Sequence, residues 1–216
     1  MSSASIAEPR SSRRGRYVPP RSALAAIALG ALVVVARAAG AQTAPPQRNG
    51  WELLLSSGAL VPTGVQRDVL KAAPLSTAQV SYVIRSRLAI TTMFGWARSR
   101  DLATAGDPKL DVFTYDLGAE FRVPRWAASK AVTLTPFVGI GAGARSYNYR
   151  SLDVDATHDI AGYGALGGEL GMGRVHVRLE LRDYVTGFKP LAGAGASATR
   201  NDVAALVGLR FTRRGT

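Results

Sequence analysis

Two histidines, His158 and His176, and no cysteine set the limits of side-chain chemistry in this 216-residue chain. Without cysteine there is no thiol nucleophile, no disulfide framework and no thiolate set for zinc or an iron–sulfur cluster. A serine hydrolase needs a serine, a histidine and an acid that converge in space. His176 alternates with Arg178 and Glu180, and His158 stands in an expected loop beside Asp155 and Asp159. Neither pairs by strand spacing with a serine on an apolar face, so each is expected to be a lumen or loop histidine and the chain no enzyme. Gly162, Gly164 and Gly167 match a dinucleotide fingerprint. That fingerprint works only where a strand ends and a helix begins. Alternation runs straight through it here, so these glycines read as close-packing positions in a strand. Asp153, Asp155 and Asp159 offer hard oxygen ligands for calcium, but not at EF-hand spacing, and a solvated acidic loop is expected. No cofactor and no metal is expected.

Charge carries more information than any motif. Lys plus Arg number 27 against 15 Asp plus Glu, a formal net charge of +12. The basic residues form no nucleic-acid stripe, because many alternate with acids on one strand face. That polar face carries Glu52, Asp116, Glu120, Glu169 and Glu180 against Arg85, Arg122, Arg145, Arg178, Arg182 and Arg210. In a narrow barrel lumen these charges would neutralise one another. Other cations flank expected turns and loops: Arg87, Arg98, Arg100, Arg125, Lys130 and Lys189. Lipid phosphates or lipopolysaccharide suit them better than DNA.

The elements that position these charges show a period of two. From Asp111 to Val123, Phe113, Tyr115, Leu117, Ala119 and Phe121 alternate with Thr114, Asp116, Gly118, Glu120 and Arg122. Arg174–Tyr184 and Asp202–Phe211 repeat this, and Trp51–Val61, Ala78–Arg85, Arg87–Arg98, Val132–Tyr147 and Ile160–Met172 fit with more noise. Eight strands of this length suit a tilted membrane-spanning strand of ~9–11 residues. Short connections, at Ser86, Pro124–Ala131 and Gly173, alternate with longer ones, Gly64–Thr77, Ser99–Leu110, Asn148–Asp159 and Thr186–Asn201. Short periplasmic turns and long external loops alternate in this way in membrane barrels. A soluble barrel would instead bury the apolar face. The balanced charges, the small residues of the polar faces and the aromatics toward strand ends (Trp51, Tyr82, Trp96, Phe211) favour the lipid-facing choice. The expected fold is all-β, an eight-stranded antiparallel up-and-down transmembrane β-barrel.

The first forty-one residues read as a cleavable signal peptide: a basic stretch from Arg10 to Arg21, an apolar run from Ser22 to Ala36, then Ala39-Gly40-Ala41. As a helix the apolar run reaches about 22 Å, short of a ~30 Å hydrocarbon core. Residues 42–50 are then a linker and 51–216 the barrel domain. The last strand, with Gly208, Leu209 and Phe211, looks like an assembly signal presented to a barrel-insertion machinery, although five residues follow the aromatic. On this pattern the chain resembles the small outer-membrane β-barrels of Gram-negative bacteria, the group that includes the outer-membrane protein A-like transmembrane domain. The resemblance implies a monomer in the cell outer membrane, with outer-membrane lipid and the insertion machinery as partners. The role expected is structural or interactive in the envelope. The alternatives are a narrow pore or carrier of small apolar molecules and, third, a lipid-modifying hydrolase.

Overall fold

The computed structural model describes residues 50–124, 126–127, 133–150, 152–172, 175–188 and 198–212. The expected signal peptide, nearly all of the linker, the Gly173 turn and the last four residues lie outside these. Eight long strands build the fold: β1 (Gly50–Thr63), β2 (Ala73–Arg85), β3 (Leu88–Arg100), β4 (Lys109–Arg122), β5 (Thr133–Tyr149), β6 (Thr157–Met172), β7 (Val175–Phe188) and β8 (Ala198–Thr212). Each pairs antiparallel with its sequence neighbours, and β1 pairs with β8 from Glu52↔Thr212 to Thr63↔Asn201. The sheet is therefore a closed barrel without free edges, the arrangement in which every strand amide finds a partner inside a bilayer. A two-residue strand, Trp126–Ala127, adds to the turn-end edge of β5 at Leu134 and Thr133.

The alternation resolves into an apolar outside. On β4, Tyr115, Leu117 and Phe121 are exposed, whereas Thr114, Asp116, Glu120 and Arg122 are buried. β3 repeats this with Leu88, Ile90 and Phe94 outside and Ala89, Thr91 and Met93 inside. From Leu88 to Trp96 the belt rises about 20 Å at ~3.3 Å per residue and a ~40° tilt, close to the ~25 Å apolar band of membrane barrels. Aromatic rings mark both rims. Trp51 and Tyr82 lie 4.9 Å apart near the termini, and Phe94 packs 5.4 Å from Tyr115 and 6.1 Å from Phe113 toward the loops.

Several strands run further than the alternation predicts, by more than one residue only at the loop end. β2 begins at Ala73 rather than Ala78, and β6 at Thr157, which places His158 in a strand and not in a loop. The cause is a change of solvent along one strand. Above Trp96 the outward positions are Arg98 and Arg100, whereas inward ones are Ala97 and Ser99. Here the outward positions of β3 are charged, and a group of apolar residues turns inward. Leu60, Leu75, Leu110, Val112, Tyr147 and Tyr163 form one buried cluster in this part of the lumen. A short 3-10 turn, Gly64–Asp68, folds over it and seats Leu70 in the same cluster. Bonds from Lys71 N–H to the Arg100 carbonyl (3.0 Å) and from Leu102 N–H to the Val69 carbonyl (2.8 Å) tie this cap to the next loop.

Candidate functional site

The buried faces of β1, β4, β6, β7 and β8 meet in a ladder of ion pairs toward the turn end of the lumen. Arg122 holds Glu52 through two bonds, 2.9 and 2.5 Å, and Glu120 at 2.7 Å. Arg210 bridges Glu52 at 3.0 Å, Glu169 at 2.7 Å and Glu120 at 3.3 Å. Arg178 lies 2.7 Å from each of Glu120, Glu169 and Glu180. Arg182 continues to Glu180 at 2.6 Å, to Asp116 at 2.9 Å and to the Gln79 carbonyl oxygen at 3.2 Å. The Tyr184 hydroxyl donates to Asp116 at 2.6 Å. Nearer the loops Arg145 pairs with Asp202, both fully buried.

Within the ladder each of the four guanidiniums faces two or three carboxylates and each carboxylate at least one guanidinium, whereas Arg145 faces Asp202 alone. This shared geometry is what makes buried charge tolerable in a small lumen. The candidate set Glu52, Asp116, Glu120, Arg122, Glu169, Arg178, Glu180, Arg182 and Arg210 is thus brought together, with Arg145 as a separate pair above it. Arg85 is not part of it. The β2–β3 register shifts between Val83 and Arg85, and the bulge leaves Arg85 exposed at the turn. Gln79 and Tyr184 join the polar lumen although the alternating charges gave no sign of them, and Asp202, on the polar face of the last strand by alternation, joins it as the partner of Arg145. Only the register, which sets Tyr184 beside Asp202 across β7 and β8, identifies these partners.

Aromatic rings complete the filling. The Arg178 guanidinium carbon lies 3.4 Å from the Phe137 ring centroid, and that of Arg182 4.3 Å from Tyr163. Glycines make room for these rings. A methyl group at Gly141 would stand 2.6 Å from Tyr163 Cε1, and one at Gly167 would stand 2.5 Å from Phe137 Cζ. Substitution there must move both the facing strand's backbone, at the Leu117 or Leu179 carbonyl, and a ring that itself covers an arginine.

His176 sits inside this lumen, its Nδ1 3.7 Å from Glu169 Oε2. His158 departs from the sequence expectation a second time. The register places exposed His158 directly opposite Ser146 of β5, which is buried, so a cross-strand serine–histidine pair exists in register. No hydrogen bond joins the two side chains among the described residues. Asp153 and Asp155 are exposed, Asp159 lies within β6, and the described residues contain no cluster with the makings of a metal site. Gly162, Gly164 and Gly167 lie inside β6, with no helix following. Gly208, Leu209 and Phe211 lie on β8, with Leu209 and Phe211 exposed on the outer wall and Phe211 opposite both Leu53 and Val175 at the closing seam.

No protein-family model matches the sequence, and no curated protein matches it. Solved structures do. Neisserial surface protein A superposes with a TM-score of 0.53 at 10% identity, covering 79% of this chain and all of that one. The outer membrane protein OprG from Pseudomonas aeruginosa follows with a TM-score of 0.48 at 11% identity, covering 78% of this chain and 98% of that one. The N-terminal β-barrel domain of Pseudomonas aeruginosa OprF gives 0.46 at 11% identity, over 76% of this chain and all of that one. Closed eight-strand topology, an apolar outer belt and the first of these superpositions agree: the chain has the fold of the small outer-membrane β-barrels.

Proposed function

We propose that this protein is a non-conducting envelope barrel of the outer membrane, acting through its outer wall and its loops rather than through its lumen or by catalysis. The observation that carries the reading is the closure of the interior. The ion-pair ladder fills the turn end, and the apolar cluster with its 3-10 cap fills the loop end. The Tyr163 ring lies against Gly141 and the Phe137 ring against Gly167, and the backbone of β4 closes on Gly143, so these glycines are filled against rather than left open. A monomer exported by residues 1–41 and assembled through the β8 strand is the form in which this role is cast.

Reconstitution into planar lipid bilayers tests it. Folded barrel, verified by heat-shifted gel mobility, is expected to leave the bilayer silent. Discrete conductance steps from the same preparation would put the pore reading in its place. The Ser146–His158 register pair, with exposed His158 opposite buried Ser146, supports a second reading, a lipid-modifying hydrolase. Release of fatty acid from membrane lipid by the wild type, abolished in Ser146→Ala and His158→Ala, would establish it over the first.

A further inference from the structure

The loop-end rim of the outer wall is unevenly charged. Arg98 and Arg100 of β3, Lys109 of β4 and Arg150 beyond β5 are all exposed. The register sets Arg100 directly opposite Lys109 and Arg98 directly opposite Asp111. Asp111 already faces Arg150, whose Nε lies 3.4 Å from its Oδ1. Asp107 meets Arg100 through its backbone carbonyl, at 3.4 Å. Like charges directly opposite on one sheet face destabilise the pair unless something anionic lies between them. On β7, by contrast, the outward position Asp183 is an exposed acid.

Below the cations the order of side chains follows a lipid. Trp96 and Phe113 are cross-strand partners in the next row, with the Arg98 guanidinium carbon 4.4 Å from the Trp96 ring centroid. Phe94 and Tyr115 form the row beneath. There a groove of about 540 Å³ opens in the wall, lined by Val80, Thr92, Phe94, Tyr115, Leu117 and Ala142. Cations, then interfacial aromatics, then an apolar groove match phosphate, headgroup boundary and acyl chain in sequence.

We infer that the β2–β5 wall is a docking site for a phosphorylated glycolipid of the outer leaflet, lipopolysaccharide. Its phosphate sits among Arg98, Arg100 and Lys109, and one of its acyl chains lies in the groove. The inference rests on the membrane-barrel reading above and names a lipid partner for it. The rim cations supply affinity, and the groove supplies preference for a chain-bearing phosphate over a soluble one.

The full chain, refolded into phosphatidylcholine vesicles containing lipopolysaccharide and re-extracted in mild detergent, gives lipopolysaccharide retained per folded barrel. Reversing three cations together, Arg98→Glu, Arg100→Glu and Lys109→Glu, is expected to weaken retention by at least about a hundredfold. Each cation at an anionic lipid surface strengthens binding roughly fivefold, and its reversal adds repulsion. The turn-end control Arg85→Glu/Arg87→Glu is expected to retain as the wild type does. Should the triple variant fail to show the heat-shifted folded band, the wild type offered enzymatically dephosphorylated lipopolysaccharide reads the same interaction and is expected to lose retention equally. Undiminished retention in either arm overturns the site, and so does equal loss in the turn-end control. A wild-type chain that inserts into no vesicle overturns the membrane reading itself, a result separable by the gel.

Discussion

Replacing Arg178 by methionine removes the most connected cation of the lumen while keeping an unbranched side chain against the Phe137 ring. Arg178 is 2% exposed and touches three carboxylates at 2.7 Å. After its loss Glu120 keeps Arg122 at 2.7 Å, Glu169 keeps Arg210 at 2.7 Å, and Glu180 keeps Arg182 at 2.6 Å. No carboxylate is stranded outright, so the cost belongs near the lower end of that for breaking a buried pair, about 3 kcal/mol. Urea unfolding of the barrel in phospholipid vesicles, followed by tryptophan fluorescence and by the gel shift, measures it. Adding Glu180→Gln to Arg178→Met restores the charge balance around Arg182. The double variant is expected to recover at least about 1 kcal/mol, a coupling typical of directly contacting residues. A loss below about 1 kcal/mol for Arg178→Met would mean that water, not arginine, solvates these carboxylates. The closed-lumen argument would fall with it, and the planar-bilayer recordings would be expected to show current.

Two further outcomes address the wall and its assembly. Leu117→Arg, at a position 63% exposed on the outer belt, is expected to cost about 2–4 kcal/mol in the same vesicle unfolding assay if it lies near the bilayer midplane; a negligible cost would mean that the belt is not in lipid. Phe211→Ala is expected to slow barrel assembly in isolated outer membranes, read as appearance of the heat-shifted band, while changing vesicle stability less than Leu117→Arg does; unchanged assembly would remove β8 from the role of recognition signal.

Much of the barrel was legible because a bilayer imposes a strict rule over its own thickness. Within the belt, the outward residues of β3, β4, β7 and β8 are nearly all apolar, Thr92 and Asp183 being exceptions, and the period of two survives with little noise. The charge pairing was partly legible for a related reason. Acids and bases that alternate on the face opposite the lipid have only one another for company in a narrow lumen. What could not be read was who pairs with whom. Arg210 meets Glu120 across 90 positions of sequence, and that proximity depends on closure of β1 on β8. Asp202 belongs to the polar face by alternation, but its partner, Arg145, is visible only in the closed barrel. The serine opposite His158 was hidden in the same way, since cross-strand partners emerge only from register. Arg85 misled because one bulge beside a tight turn reverses the face of every residue beyond it.

The strand ends were misjudged in one direction, and the physical reason bears on function. The two barrel types that alternation cannot separate, lipid-facing and soluble, are both present in this molecule, stacked along its axis. Up to the Trp96–Phe113 row the outside is apolar and the inside charged. Beyond it Arg98, Arg100, Lys109 and Asp111 face outward, while Leu75, Leu110, Val112 and Tyr147 turn in. A reading that asks for one apolar face per strand loses the signal at the crossover, which is why β2 and β6 seemed to start late. On the lipid-docking proposal, that crossover is also the level of the membrane surface. It follows that the Arg98–Lys109 cations stand at phosphate depth by the same inversion that closes the mouth with an apolar core. The sealed interior and the lipid-binding rim are then two consequences of one pattern. An uninterrupted apolar exterior on β3, with leucine in place of Arg98 and Arg100, would erase the rim and the crossover together.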